Sequence, residues 1–196
     1  MNYKSEPFPS DIKAMLHNTY GIASIILDRL NESNCPELGA LYMELHKTCG
    51  AKPEYSVIRD KKVFDDLGYL PNILSGKSRS LNEFKGLYVF GREENGKVIP
   101  VYVGISRTVY RRLRQHGFGK LHNQCSLAYL MSKHENDKID RSNIHKNFNE
   151  ILICKKENVK SFKVALYAIE KDYELYFTEV ALAGILKTKW NSFRTH

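Results

Sequence analysis

Residues 86–106 read GLYVFGREENGKVIPVYVGIS, two short runs of aromatic and β-branched side chains on either side of Asn95-Gly96. Asn and Gly tolerate positive φ, so between such runs they predict a tight β-hairpin. Toward the C-terminus, the spacing predicts a short helix over Arg107 to His116 and another over Leu127 to Lys133. A polar, loop-rich insertion from Glu135 to Asn149 is expected next. FKVALYAI, residues 162–169, is apolar and β-favouring enough for a third strand. Asp172 then caps a last helix through about Lys187, which gives way to Trp190-Asn191. Toward the N-terminus, apolar residues at helical spacing predict a helix from Ile12 to Leu30 with Ser10 or Asp11 as N-cap. A second helix is expected from Pro36 to Lys47. Residues 51–84 have the composition of turns with one short strand. The predicted order places a mixed α+β domain over residues 81–196, behind a helical extension over residues 1–80, with the boundary near Ser80. That extension reads as a packing element or as a recognition arm.

A chain of 196 residues suffices for one well-cored domain and a modest extension. Its 30 Lys and Arg against 22 Asp and Glu give a formal net charge of +8, which suits a polyanionic partner such as nucleic acid. Many ordinary domains are equally basic, so charge corroborates and does not decide. Cys35, Cys49, Cys125 and Cys154 are scattered and never form the C-x-x-C spacing of a zinc knuckle, so they read as free thiols. No apolar leader and no run of 18 apolar residues occurs, so no membrane span is expected. A cytoplasmic, reducing setting follows as the expectation.

Projecting the last helix at 100° per residue puts Leu175 and Leu186 within about 40° of Leu182, and Glu179 about 60° from it. A carboxylate on an apolar stripe must be paired, protonated or given a metal, because an unpaired buried charge costs several kcal/mol. A core salt bridge to an arginine satisfies this as well as a metal does. On the Arg107 to His116 helix, His116 and Arg112 fall about 20° and 60° from Val109, flanking the core seam. A hydrogen-bonded histidine and a partner for a core acid would look the same. Arg107, Arg111 and Arg114 fall on the opposite face. With Lys120 they make either a solvated surface or a patch that tracks phosphates.

Gly86-Leu87-Tyr88 and Tyr102-Val103-Gly104 stand on the hairpin as G-L-Y and Y-V-G. They resemble the paired tripeptides of the GIY-YIG nucleases. Ile105-Ser106 leads through R-T-V-Y-R to Arg112-Leu113-Arg114-Gln115-His116, similar to that family's Arg-to-His helix. Glu179 to Leu186, EVALAGIL, followed by Trp190-Asn191, resembles its glutamate helix and terminal asparagine. Leu87 and Val103 replace the named isoleucines. The spacer after His116 is long, leaving His122, His134 and His145 without a role. The resemblance covers about half the chain, in five ordered elements.

The resemblance implies a small three-stranded antiparallel sheet flanked by helices, and hydrolysis of nucleic-acid phosphodiesters. Glu179 would ligate a single divalent cation, Mg2+ or Mn2+. Arg112 would hold the non-bridging oxygens. Tyr88 would be the general base or would position the water, assisted by His116, with Tyr102 orienting water or phosphate. An unperturbed tyrosine is only about 0.1 % ionised at pH 7, so Tyr88 needs that help. Asn191 would fasten the end of the glutamate helix to the site. Arg107, Arg111, Arg114 and Lys120 would contact the nucleic acid. Double-stranded DNA is the expected substrate. The alternatives are a nuclease acting on RNA, a binding module of the same fold without turnover, and a basic structural protein that matches by accident.

Overall fold

In the computed structural model, which describes residues 6–49, 85–121, 123–136 and 144–191, Asn95 and Gly96 lie at φ of 51° and 75°. This two-residue turn joins β1 (Gly86–Glu94) to β2 (Lys97–Ser106). It fixes a register in which Tyr88 faces Gly104 and Phe90 faces Tyr102. Between Phe90 and Gly91 the register slips, because Gly91 pairs with Pro100 and leaves Val101 over. Proline is tolerated there because β2 is an edge strand. The third strand, β3 (Lys163–Ala168), lies antiparallel on the other side of β1, giving the order β2-β1-β3. The protein is α+β, with a small three-stranded antiparallel sheet flanked by helices.

Six helices among the described residues cover the sheet: α1 (Ile12–Asn31), α2 (Leu38–Cys49), α3 (Val109–Phe118), α4 (Ser126–Asn136), α5 (Ile144–Lys160) and α6 (Asp172–Leu186). One core joins Leu87, Val89, Val103 and Ala165 to Ile22, Ile26 and Leu30 of α1 and to Leu175, Leu182 and Ala183 of α6. The other joins Tyr88, Phe90, Val164 and Leu166 to side chains of α2, α3, α4 and α5. Ile26 and Leu30 of α1, and Leu38 of α2, are fully buried. Each contributes about 1.5–3 kcal/mol relative to exposure, so both helices are packing elements of the two cores. None of the described helices is long and apolar enough to cross a membrane.

Asp11 caps α1 as expected, its carboxylate accepting from Ala14 N at 2.9 Å. Other expectations need correction. The loop-rich insertion expected over Glu135 to Asn149 does not hold at either end, because Glu135 and Asn136 close α4 and residues 144–149 open α5, while residues 137–143 lie outside the described residues. The apolar stripe of α5 rests on Phe148, Leu152 and Val159, set among lysines and asparagines that mask the period. Tyr129 meets Phe148 edge-on at 5.6 Å, and Lys155 pairs with Glu135, so α4 and α5 pack side by side. Helix α2 starts at Leu38 and not at Pro36. The Pro36 carbonyl accepts from Val164 N at 3.1 Å and Glu37 bridges to Lys163, so these two residues extend the sheet. Asp172 is the first residue of α6 rather than its cap, which is Lys171 without a side-chain bond. The turns, the short strand and the boundary expected within residues 51–84 lie outside the described residues.

Candidate active site

Tyr88 and Gly104 face each other across the hairpin, and the tyrosine ring lies over the glycine. A Cβ on Gly104 would collide with the Tyr88 ring and hydroxyl. Gly86 has a different reason, since a Cβ there would strike the Tyr167 carbonyl and lie 2.9 Å from the Ala168 Cα of β3. Both glycines of the paired tripeptides are therefore close-approach residues.

Pleating sends Tyr88 and Tyr102 to the same face, where α3 brings His116. The ring centroid of His116 is 5.5 Å from that of Tyr88, 5.4 Å from Phe90 and 5.6 Å from Tyr102. His116 Nε2 and the Tyr88 hydroxyl are hydrogen-bonded at 2.7 Å, and both residues are buried. Nδ1 of His116 has no hydrogen-bond partner among the described residues. Burial, reinforced by the Arg112 charge, lowers the proton affinity of His116 well below the ordinary imidazole range. The ring is thus neutral near pH 7. Burial, with Tyr102 alongside, raises the Tyr88 phenol well above its ordinary value, and Arg112 offsets only part of this. Tyr102 is raised for the same reason, burial first, with the Arg112 charge and hydrogen bonding to Ser126 acting the other way.

Arg112 leaves α3 toward the α3–α4 turn. Its Nη1 donates to Gln115 Oε1 at 3.1 Å, Gln124 O at 3.1 Å and Asn123 O at 3.3 Å, and its Nη2 donates to Ser126 Oγ at 2.8 Å. None of these acceptors is a carboxylate. The core salt bridge that would have accounted for both Arg112 and Glu179 is not formed. Glu179, half-buried on α6, has no hydrogen-bond or ion-pair partner among the described residues. Its charge nevertheless raises the proton affinities of Tyr88 and Tyr102, so it lies within electrostatic reach of both. Burial pushes its carboxyl up from 4.5 to about 7. No group of three or more His, Cys, Asp or Glu that could hold a metal exists among the described residues. Glu179 alone fits the sparse protein ligation that a hydrated Mg2+ accepts, in which waters and phosphate oxygens complete the shell.

Asn191 straps the chain end to β2. Its Oδ1 accepts from Val103 N and its Nδ2 donates to Val103 O, each at 2.7 Å, and Thr188 Oγ1 donates to Oδ1 at 2.9 Å. The amide completes the open edge of the Y-V-G strand.

The expected nucleic-acid contacts are not equivalent. Arg111, Arg114 and Lys120 are exposed. Arg107 is exposed too, but it precedes α3 instead of lying on it and pairs with Asp172 at 3.0 Å. Two contributors carry no signal in the sequence. Ser126 meets Arg112 and Tyr102 only because of a turn that sequence does not reveal. Glu6 Oε2 accepts from Asp172 N at 2.6 Å and from Tyr173 N at 3.3 Å, capping the helix that carries Glu179. Set against family models, curated proteins and solved structures, the chain matches none of them.

Proposed function

We propose that this protein is a metal-dependent endonuclease of the GIY-YIG kind, hydrolysing DNA phosphodiesters at the centre formed by Tyr88, Tyr102, Arg112, His116 and Glu179. The observation that carries the reading is Glu179, a half-buried carboxylate without a partner among the described residues, whose charge acts on two tyrosines. Such a group costs stability unless a ligand offsets it. A divalent cation, Mg2+ or Mn2+, would supply charge neutralisation at the scissile phosphate and the leaving oxygen.

The chain's own residues divide the remaining work. With neutral His116 carrying its proton on Nδ1, the Tyr88 hydroxyl would donate to Nε2, and its oxygen would accept a proton from the attacking water. As it does so, the phenol proton passes to His116, so no phenolate need exist at rest. Tyr102 positions the water or a phosphate oxygen. The Nη2 edge of Arg112, which makes one bond where Nη1 makes three, is the side left for the phosphate. Asn191 keeps β2 and the end of α6 in register with this centre.

One observation favours a second reading, a nucleic-acid-binding module without turnover: Arg112 is already engaged by four protein oxygens. Supercoiled plasmid incubated with Mg2+ and wild-type protein separates the two, beside Glu179→Ala and Arg112→Ala. The nuclease reading expects nicked circles from the wild type and loss of at least about 100-fold in rate in both variants. Nicking that survives in both variants sinks the assigned centre. Retention of plasmid without cleavage of DNA or RNA supports the module.

A further inference from the structure

Trp190 is the chain's single tryptophan. Its backbone N–H donates to Val101 O at 3.0 Å, one residue before Asn191 closes on Val103. This places the Trp190 backbone on the outer edge of β2, against the segment Val101 to Val103 that carries Tyr102. Its half-buried indole packs against the same cluster as Tyr102. His134 meets it edge-on at 5.5 Å, and Lys189 Nζ stands 4.9 Å over the ring. Lys189 and His134 are both exposed. An ammonium that reaches an indole face from solvent marks a face that no core side chain among the described residues covers.

We propose that Trp190, with Lys189 and His134 at its rim, is a nucleobase-stacking subsite next to the cleavage centre. This rests on the nuclease reading for its substrate, and it narrows that substrate. The base displaces the ammonium from the indole, and the ammonium moves to a neighbouring phosphate. A base inside an intact duplex keeps both faces on its neighbours and cannot stack here. The nucleotide adjoining the scissile bond is therefore unpaired or splayed, as in a single strand, a flap or a distorted junction.

Indole emission of the metal-free wild-type protein reports Trp190 directly. The protein is titrated with oligothymidylate or oligouridylate about 12 nucleotides long, with an abasic strand of equal charge, and with a closed hairpin duplex. Quenching by either base-bearing single strand, absent with the abasic strand and the duplex, is the expected result. The arm that quenches more tightly identifies DNA or RNA as the source of the base. Equal quenching by the abasic strand, or none by either oligomer, overturns the proposal. By anisotropy of a labelled strand, Trp190→Ala is expected to bind oligothymidylate roughly tenfold or more weakly, while Trp190→Phe retains most of the affinity. If plasmid nicking persists without any quenching, the subsite fails and the nuclease reading stands. Quenching without cleavage of any substrate keeps the subsite and sinks the nuclease reading.

Discussion

Glu179 holds its carboxyl where water is scarce, and the consequences run in two directions. Its folded pKa is about 7 against an ordinary 4.5. Between those values the folded chain keeps a proton that the unfolded chain has released, so stability falls as pH rises through that window. Above pH 7 the loss is constant. Glu179→Gln is therefore expected to stabilise the fold at pH 8 by on the order of 1 kcal/mol, discounted for partial exposure, and to change little at pH 4. Thermal melts at both pH values check this. Added Mg2+ should raise the wild-type melting temperature at pH 8 and leave Glu179→Gln unmoved, since only a group that binds the folded state shifts the equilibrium. At sub-saturating Mg2+ the nicking rate should climb about tenfold per pH unit below 7 and then level, as the ligating form fills. A flat profile between pH 5 and 8 would remove Glu179 from the metal site. Gly104 gives a purely steric counterpart. Gly104→Ala places a methyl against the Tyr88 ring, an overpacking worth about 1–3 kcal/mol. The cost should shrink in a Tyr88→Ala background, as urea melts of the double-mutant cycle would register.

The helix that carries Glu179 is held at both ends by distant parts of the chain. Asn191 and Trp190 bond the segment after α6 to Val103 and Val101. Glu6 bonds the first two N–H groups of α6, Phe8 packs on Tyr173 at 4.9 Å, and Asp172 pairs with Lys85 at 2.6 Å and Arg107 at 3.0 Å. Lys171, the residue in the cap position, contributes no side-chain bond. Glu6→Ala should therefore cost about 1 kcal/mol, the usual worth of a helix cap. A local cap introduced by Lys171→Asp should restore most of it, and denaturant melts of the single and double variants would show whether it does. This trans cap spans 166 positions and Ser126 reaches Arg112 across 14, so neither has a signature that a local reading detects. The hairpin, β3 and α6 are legible because their signals are local: a positive-φ turn, a β-favouring run and an apolar stripe interrupted by one acid. Helix α5 escapes because Phe148, Leu152 and Val159, set in a lysine- and asparagine-rich stretch, do not look like a face until the helices they pack on are known. Tyr88, Tyr102 and His116 stand out by their order along the chain. Their shared burial, and the resulting push on each proton affinity, belongs to the packed state alone.

At the scale of the whole molecule, a formal charge of +8 predicts attraction to a polyanion, but where those charges are engaged decides how the attraction responds to salt. Arg107 already faces Asp172, which Lys85 also holds, and hydrogen bonding by Lys85 is the largest effect keeping the Asp172 carboxyl below its ordinary value. Moving Arg107 to a phosphate would strand part of that cluster, so it is a weak candidate for counterion release. Arg111 and Arg114 project from α3, and Lys120 from the turn after it, all three toward solvent. For every phosphate that the protein ceases to neutralise, the slope of log affinity against log salt falls by about 0.9 for duplex DNA and about 0.7 for a single strand. Replacing Arg111, Arg114 and Lys120 together by alanine should reduce the slope by roughly 2 to 3, whereas Arg107→Ala should leave it nearly unchanged and show its effect in thermal stability instead. Binding isotherms between about 50 and 200 mM salt resolve a difference of that size. A slope that falls as far for Arg107→Ala as for the triple variant would mean that Arg107 leaves Asp172 on binding, and the N-terminal end of α6 would then be part of the nucleic-acid interface.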